Sequence, residues 1–390
     1  MPNHGGMGYP ADIPRLTDGV VSLRAYTLDD LEGILEQCTD PASIAWTTIP
    51  TPYTRDDGIA WVTKLVPEGW ARGTDLDFAI EAEHPDGVRR YSGGISLRPR
   101  EDGLASIGFA VHPAVRGHAV CRRALTLLVD WAFNARGVEV IEWHAYVGNW
   151  PSRRVAWSTG FTFHGTIPAY QVQRGTRRDT WFATLRAGDS REPKNRWFIP
   201  PVLETPRLRL RPYADADASR LTDLFTDPRS QHFGGRADRL GPPDGAHHLL
   251  RLRENCARGT QLNWCIADRA SDQLVGHIQL FDLEGLDDTE VKPGYSIHPD
   301  ARGRGYLTEA LKALSNWVFL PLASGGLGKR LITISTAGTN AASRHAATQA
   351  GFTHTATHPH SFPIGTTTYD DEVLYQRLNP TYQPDPGKNL

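Results

Sequence analysis

Two stretches of this 390-residue chain combine basic residues, glycines and a helix start in a way that suits an anion. One runs Ile297-His298-Pro299-Asp300-Ala301-Arg302-Gly303-Arg304-Gly305-Tyr306-Leu307-Thr308. It reads as a strand end, a tight turn and the first turn of a helix. Such a junction points several backbone N–H groups, and the positive end of a helix dipole, at one spot that fits a phosphate or pyrophosphate. Gly303 and Gly305 let the main chain approach a ligand, and Arg302 and Arg304 add charge-assisted bonds. The other stretch carries Arg116-Gly117-His118-Ala119-Val120-Cys121 at its turn. Ala119 stands where the second glycine is needed, so its Cβ is expected to crowd a phosphate or to forbid the required φ. Cys121 reads as a small packing residue rather than a nucleophile.

Downstream of each turn comes Asn-x-x-Ser, as Asn149 with Ser152 and Asn340 with Ser343, and then Gly160-Phe161 and Gly351-Phe352. Either residue type can simply cap a helix. A serine hydroxyl can also pass a proton, so both uses stay open. Arg116 and Arg302 are 186 residues apart, and the four later pairs are each 191 apart. A period this long means two tandem domains rather than a solenoid.

The elements that must position these residues repeat as well. In the first half, strands are expected near 20–24, 77–81, 91–97, 104–111, 138–146 and 178–186, with helices after the turn and after Asn149. In the second half they are expected near 207–212, 263–268, 274–280, 290–297, 331–335 and 372–378. The division is then a flexible arm over 1–16, a domain over 17–186, a polar, proline-bearing linker over 187–202, a domain over 203–378 and a tail over 379–390.

Composition bounds the partners. Net charge is −2, which removes any bulk electrostatic case for nucleic acid or an anionic membrane. Cys38, Cys121, Cys256 and Cys265 show neither CxxC spacing nor disulfide density. No basic, apolar leader and no membrane-length apolar run is seen, so a cytoplasmic protein is expected. His354, His358 and His360 lack a carboxylate or cysteine at ligand spacing, so they read as surface histidines and no metal is expected.

Three features carry a family resemblance. They are Thr205-Pro206-Arg207-Leu208-Arg209-Leu210-Arg211-Pro212, then Gly294-Tyr295-Ser296-Ile297-His298-Pro299 running into Arg302–Tyr306, then Asn340-x-x-Ser343 with Gly351-Phe352. Together they resemble the GNAT acetyltransferase superfamily in both halves, and within it the ribosomal-protein N-terminal (alanine/serine) acetyltransferase type. The resemblance implies an α+β (α/β three-layer) fold in each half, with a mixed sheet splayed between its fourth and fifth strands. It implies acetyl-CoA or another acyl-CoA as a substrate entering that splay. The pyrophosphate would then meet Ile297, Arg302, Gly303, Arg304, Gly305, Tyr306, Leu307 and Thr308, with Asn340 nearby, and in the weaker first copy Arg116, Gly117 and His118.

The acceptor implied is an amine, either a peptide or protein N-terminus or a small molecule. Ser343, and Ser152 in the first copy, lie where the family's thiolate-facing serine would be. The type often has a glutamate two residues before the glycine of the fourth strand, but Lys292 and Ser106 stand there. Glu290 is the substitute base, with Asp288 and His277 behind it, and Glu101 and Asp102 in the first half. Pro293 is compatible with the bulge the family uses in that strand. Two alternatives stay open: a non-catalytic CoA- or peptide-binding regulator, and a transferase of longer acyl chains. The two copies are expected to act as a pseudo-dimer within a monomer, or the chain forms a homodimer.

Overall fold

A computed structural model describes residues 13–234, 244–283 and 288–383. Most of the expected arm and the end of the expected tail therefore lie outside the described residues. The chain divides into two compact units, one ending at Lys194 and the other beginning at Asn195.

The first unit comprises β1 (Leu16–Thr17), β2 (Ser22–Arg24), α1 (Leu31–Thr39), α2 (Pro41–Trp46), α3 (Arg55–Ala60), α4 (Val66–Arg72), β3 (Leu76–Glu83), β4 (Arg89–Pro99) and β5 (Leu104–Val111). It continues with α5 (Val120–Ala135), β6 (Val140–Tyr146), α6 (Trp150–Ser158), β7 (Thr162–Gln173) and β8 (Thr176–Arg186). The second unit repeats the order with β9 (Leu203–Glu204), β10 (Leu208–Arg211), α7 (Ala218–Thr226), α8 (Pro228–Phe233), α9 (Gly245–Ala257), β11 (Leu262–Asp268), β12 (Leu274–Phe281) and β13 (Glu290–Ile297). Then come α10 (Tyr306–Phe319), β14 (Leu331–Ala337), α11 (Ala341–Gln349), β15 (Thr353–Ile364) and β16 (Thr368–Leu378). Each unit holds one eight-stranded sheet, ordered β1-β2-β3-β4-β5-β6-β8-β7 and β15-β16-β14-β13-β12-β11-β10-β9.

All neighbours in each sheet are antiparallel except one pair, and that pair positions the site. In the second unit β13 and β14 run parallel for only two register pairs, Glu290 with Leu331 and Val291 with Ile332. Beyond them the strands part. In the first unit β5 and β6 keep four pairs, from Leu104 with Val140 to Ile107 with Trp143, before parting. The sheets are thus mixed and splayed, with helices on both faces: the three-layer α+β architecture the sequence predicts.

Helix α10 shows why the layers hold. Ala310, Leu311, Leu314 and Val318 recur at helical spacing and are all buried, packed with Val291, Ile332, Ile334, Val373 and Tyr375 from the sheet. Each fully buried large side chain contributes about 1.5–3 kcal/mol. The opposite face of the sheet is covered by α7 and α9, through Leu221, Leu249 and Leu252 against Cys265 and Leu274.

Four strands fall outside the expected set, and all four are sheet edges: the two-residue β1 and β9, and the long β7 and β15. β7 and β15 are largely exposed and carry register shifts, and prolines sit within them (Pro168, Pro359, Pro363). An edge strand tolerates proline and needs no apolar alternation. His354, His358 and His360 are exposed, and they lie on β15. The expected bulge at Pro293 is also absent: β12 and β13 keep unbroken register from Gly276 with Ile297 to Phe281 with Lys292. Pro293 lies past the last β13–β14 pair, where the strand has an open edge and a missing N–H is tolerated.

Candidate active site

The parted strands of the second unit open into a cleft of about 1290 Å³. Its rim is the turn between β13 and α10. Pro299–Ala301 form a single 3-10 turn, Arg302 is extended, and Gly303 (φ 74°) and Gly305 (φ 76°) both take the left-handed conformation. Gly305 is the N-cap of α10, so the helix begins directly under the turn. Left-handed reversals of this kind turn successive N–H groups inward and make a nest for an anion.

The two arginines of the turn behave differently. Arg302 turns back into the protein: Nε donates to Ile297 O (3.1 Å), Nη2 to Ser230 Oγ (3.1 Å), and the guanidinium pairs with Asp227. Asp227 is the N-cap of α8 and also accepts from Ser230 N (2.8 Å). Burial alone would raise the Asp227 carboxyl, but these bonds outweigh it and hold it below the usual range. Arg304 is exposed, and its carbonyl accepts from Arg207 Nη1 (2.9 Å). Arg207 in turn pairs with Glu309 of α10 (2.6 Å), and Glu309 accepts from Thr205 Oγ1 (2.6 Å). The opening strand and the turn are thereby fastened together.

The first unit repeats this turn closely. Pro113–Val115 form the 3-10 turn, Gly117 has φ 82°, and Ala119 has φ 58° as the N-cap of α5. The expectation that Ala119 forbids the conformation is corrected: the alanine adopts it, at the ~1–2 kcal/mol that a Cβ costs in the left-handed region. The brace is duplicated too. Arg116 Nη2 donates to Asp40 Oδ2 (2.6 Å) and Ser43 Oγ (3.0 Å), and Asp40 is the N-cap of α2. Asp40-Pro41-x-Ser43 and Asp227-Pro228-x-Ser230 are 187 residues apart, so the brace is a third motif repeated in the sequence. Burial pushes the Cys121 thiol up to about 12, in keeping with a packing role.

Across the seam, the Asn-x-x-Ser motif separates into two jobs. The asparagines are the caps: Asn340 Oδ1 accepts from Ser343 N (3.2 Å), and Asn149 Oδ1 from Ser152 N (3.3 Å). The serine hydroxyls are thereby left for other partners. Ser343 Oγ lies 2.9 Å from Tyr295 Oη, and both residues line the cleft. Ser152 Oγ accepts from Trp143 Nε1 (3.1 Å). The first unit has Phe109 at the position of Tyr295, so no matching hydroxyl pair forms there.

Glu290 begins β13 at the closed end of the seam, paired with Leu331, and lines the cleft. Ile297, Tyr306, Leu307, Thr308 and Asn340 also line it. His277 lies on the wall formed by β12, 5% exposed, with Nδ1 against the Tyr213 hydroxyl and Nε2 3.3 Å from Gln279 Oε1. Burial pulls it down to about 4, so it is neutral at physiological pH.

Three cleft residues had no place in the sequence reading. Tyr295 lay inside a quoted motif without a role. Ser335 and Glu372 sit on strands with no chemical signature, and they meet there: Ser335 Oγ donates to Glu372 Oε1 (2.6 Å). The first unit differs on this face also. A Cβ on Gly108 would meet the Arg98 guanidinium at 2.9 Å, whereas one on Gly294 would meet Gln279 and Phe281. A cation therefore stands at the first seam where an aromatic ring stands at the second. Among the described residues, no group of three or more His, Cys, Asp or Glu is placed to hold a metal, and no helix is long and apolar enough to cross a membrane.

A family model described as an acetyltransferase (GNAT) domain matches the chain twice, over residues 21–162 and 207–353. An uncharacterized N-acetyltransferase p20 from Bacillus licheniformis is 25% identical over 169 residues, covering 42% of this chain and 92% of that protein. Among solved structures, Mycobacterium smegmatis RimJ in complex with CoA-disulfide is 22% identical, covers 46% of this chain and 90% of its own, and gives a TM-score of 0.40. A putative ribosomal-protein-serine acetyltransferase from Vibrio cholerae is 16% identical, covers 44% and 97%, and gives 0.39.

Proposed function

The chain belongs to the GNAT acetyltransferase family, with one such domain in each half, and from that premise we propose that it transfers an acyl group from CoA to a primary amine in the cleft of its second unit. The observation that carries the choice of unit is the pairing of an early-parting seam with a turn whose two left-handed positions are both glycine. The nest and the α10 N-terminus hold the pyrophosphate, with Arg304 as the cation facing it. Arg302 serves the shape of the turn through Asp227 rather than the ligand. The unpaired edge of β13 beyond Val291 offers main-chain groups to the pantetheine amides.

Chemistry then needs little more than positioning. The amine attacks the thioester carbon, the C–N bond forms and the C–S bond breaks. The departing thiolate takes a proton from the Tyr295–Ser343 hydroxyl pair. A peptide N-terminus and a small-molecule amine are the two acceptor classes.

The test is thiol release from acetyl-CoA across a panel of peptides beginning with alanine or serine and of small primary amines. Arg304→Glu is expected to abolish turnover and His118→Glu to spare it. No release with any acceptor overturns the proposal, and loss on His118→Glu alone moves the working site to the first unit.

A further inference from the structure

The cleft contains a carboxylate that no expectation had placed there. We infer that Glu372 is the general base that deprotonates the incoming amine, and that His358 passes its proton to solvent; this rests on the acyl-transfer reading above.

The two faces of the sheet carry different groups. On β13 and β14 the residues Val291, Ile332 and Ile334 point into the core beneath α10 and α11, and Tyr295 packs against that core. Side chains alternate along a strand. Gly294 and Ser335 therefore point to the other face, and each stands three residues beyond the last register pair, Val291 with Ile332. They oppose one another across the opened seam. On β16 the same alternation puts Val373 and Tyr375 in the core and Glu372 on the side of Ser335. The Tyr295–Ser343 hydroxyls thus lie on one face of the sheet and Glu372 on the other, with the seam between them. A thioester threaded through that seam has a proton donor behind its sulfur and a proton acceptor before its carbonyl.

Glu372 is built for this use. Its Oε1 is oriented by Ser335 and its Oε2 lies 3.2 Å from His358 Nδ1. The carboxylate is 27% exposed while the histidine is 54% exposed, so the pair leads from the cleft to the surface. The counterpart of Glu372 in the first unit is Thr180, set by register opposite Tyr146 as Glu372 is opposite Ala337. Other titratable groups near this face are Glu290 and Lys292 on β13, His277 on β12, and Asp370 and Asp371 beside it on β16. Lys292 is paired with Asp282 (3.0 Å), and Asp370 accepts from Thr339 N (2.8 Å).

The step balances. The acceptor arrives as an ammonium and Glu372 takes one proton, which leaves through His358. The free amine attacks, the C–N bond forms and the C–S bond breaks. The nitrogen gives its second proton to the emptied Glu372 carboxylate, which again releases it through His358, while the thiolate gains one from Ser343, whose hydroxyl is restored from solvent through Tyr295. The products are an amide, CoA thiol and one proton released.

The experiment is steady-state kinetics on the full chain with acetyl-CoA and two accepted amines, one of alkyl and one of much lower pKa. Glu372→Gln keeps the shape of the side chain and should lower kcat about 10²-fold or more for the alkyl amine at neutral pH, with KM for acetyl-CoA unchanged. The loss should shrink as pH approaches the amine pKa, and it should be much smaller for the low-pKa amine, which arrives neutral. His358→Gln, at an exposed site, should slow turnover in dilute buffer and recover in imidazole buffer. Should Glu372→Gln not fold, this buffer rescue decides the matter. Wild-type kcat in Glu372→Gln, an equal loss for both amines, or a His358→Gln defect indifferent to buffer overturns the inference while leaving acyl transfer standing. Absence of turnover in the wild type instead overturns the function itself.

Discussion

Tyr295 Oη and Ser343 Oγ lie 2.9 Å apart, joining β13 to the start of α11 across the parted strands. Burial, offset in part by the bond to Ser343, pushes the Tyr295 phenol up to about 12. It therefore stays protonated at neutral pH and can replace any proton that Ser343 gives away. Ser343→Ala should reduce kcat about 10²-fold with little change in KM for acetyl-CoA, and Tyr295→Phe should cost less. If the two act as one relay, the double variant is no slower than Ser343→Ala. Thiol-release kinetics on the three variants checks this; additive losses would show that the hydroxyls act separately.

The two turns differ at one left-handed position, and the difference can be reversed. Ala119→Gly should stabilise the first unit by about 1 kcal/mol by relieving φ 58°. Gly305→Ala should cost a similar amount, because a Cβ there meets only Arg207 Nη2, at an ordinary 3.6 Å. Calorimetry of the two variants should give melting shifts of opposite sign, each of about 2–4 °C. A Gly305→Ala protein with unchanged stability would mean that the turn relaxes to a different backbone.

The brace between Arg302 and Asp227 should act on binding more than on chemistry. Asp227→Ala leaves Arg302 without its carboxylate and should cost about 2 kcal/mol of turn stability. The expected kinetic result is a raised KM for acetyl-CoA at nearly constant kcat. Arg302→Ala should have the same effect, and the double variant should be little worse than either single one. Falling kcat with unchanged KM would count against a purely shaping role.

Acid should weaken the second unit through two buried histidines. Burial pulls both His248 and His277 from 6.5 to about 4. The unfolded chain therefore binds more protons than the folded unit between those values. Stability is fully present above about pH 6.5 and is lost as pH falls toward 4. Melting temperature against pH checks the sign. His277→Asn should flatten the curve, and a melting temperature that holds constant from pH 6.5 to 4.5 would refute the assignment.

What the sequence made legible was whatever repeats or alternates. The stripe of α10, the glycines of the turn and the 191-residue spacing each reflect one local rule, and each was readable. β7 and β15 were not, because an edge strand with prolines and an exposed face obeys neither helical nor strand alternation. The Ser335–Glu372 contact was hidden for a different reason. Its partners are 37 residues apart on neighbouring strands, and only register brings them together. Ser343 lies between these cases: its spacing from Asn340 was visible, but which of the two capped the helix depended on where each side chain turned.

The unequal pairing of the two parallel strand pairs sets a gauge. From the last register pair to the end of the strand, six residues of β13 stand free, Lys292 to Ile297, against four of β5, Gly108 to Val111. At about 3.3 Å per residue the second slot is about 7 Å deeper. The turns at the two rims have the same backbone shape, so a donor anchored at either would hang to the same depth. An arm that reaches the floor of the first slot stops about 7 Å short in the second. The length of free strand, rather than any single side chain, thus measures how large a group the donor can carry between rim and floor.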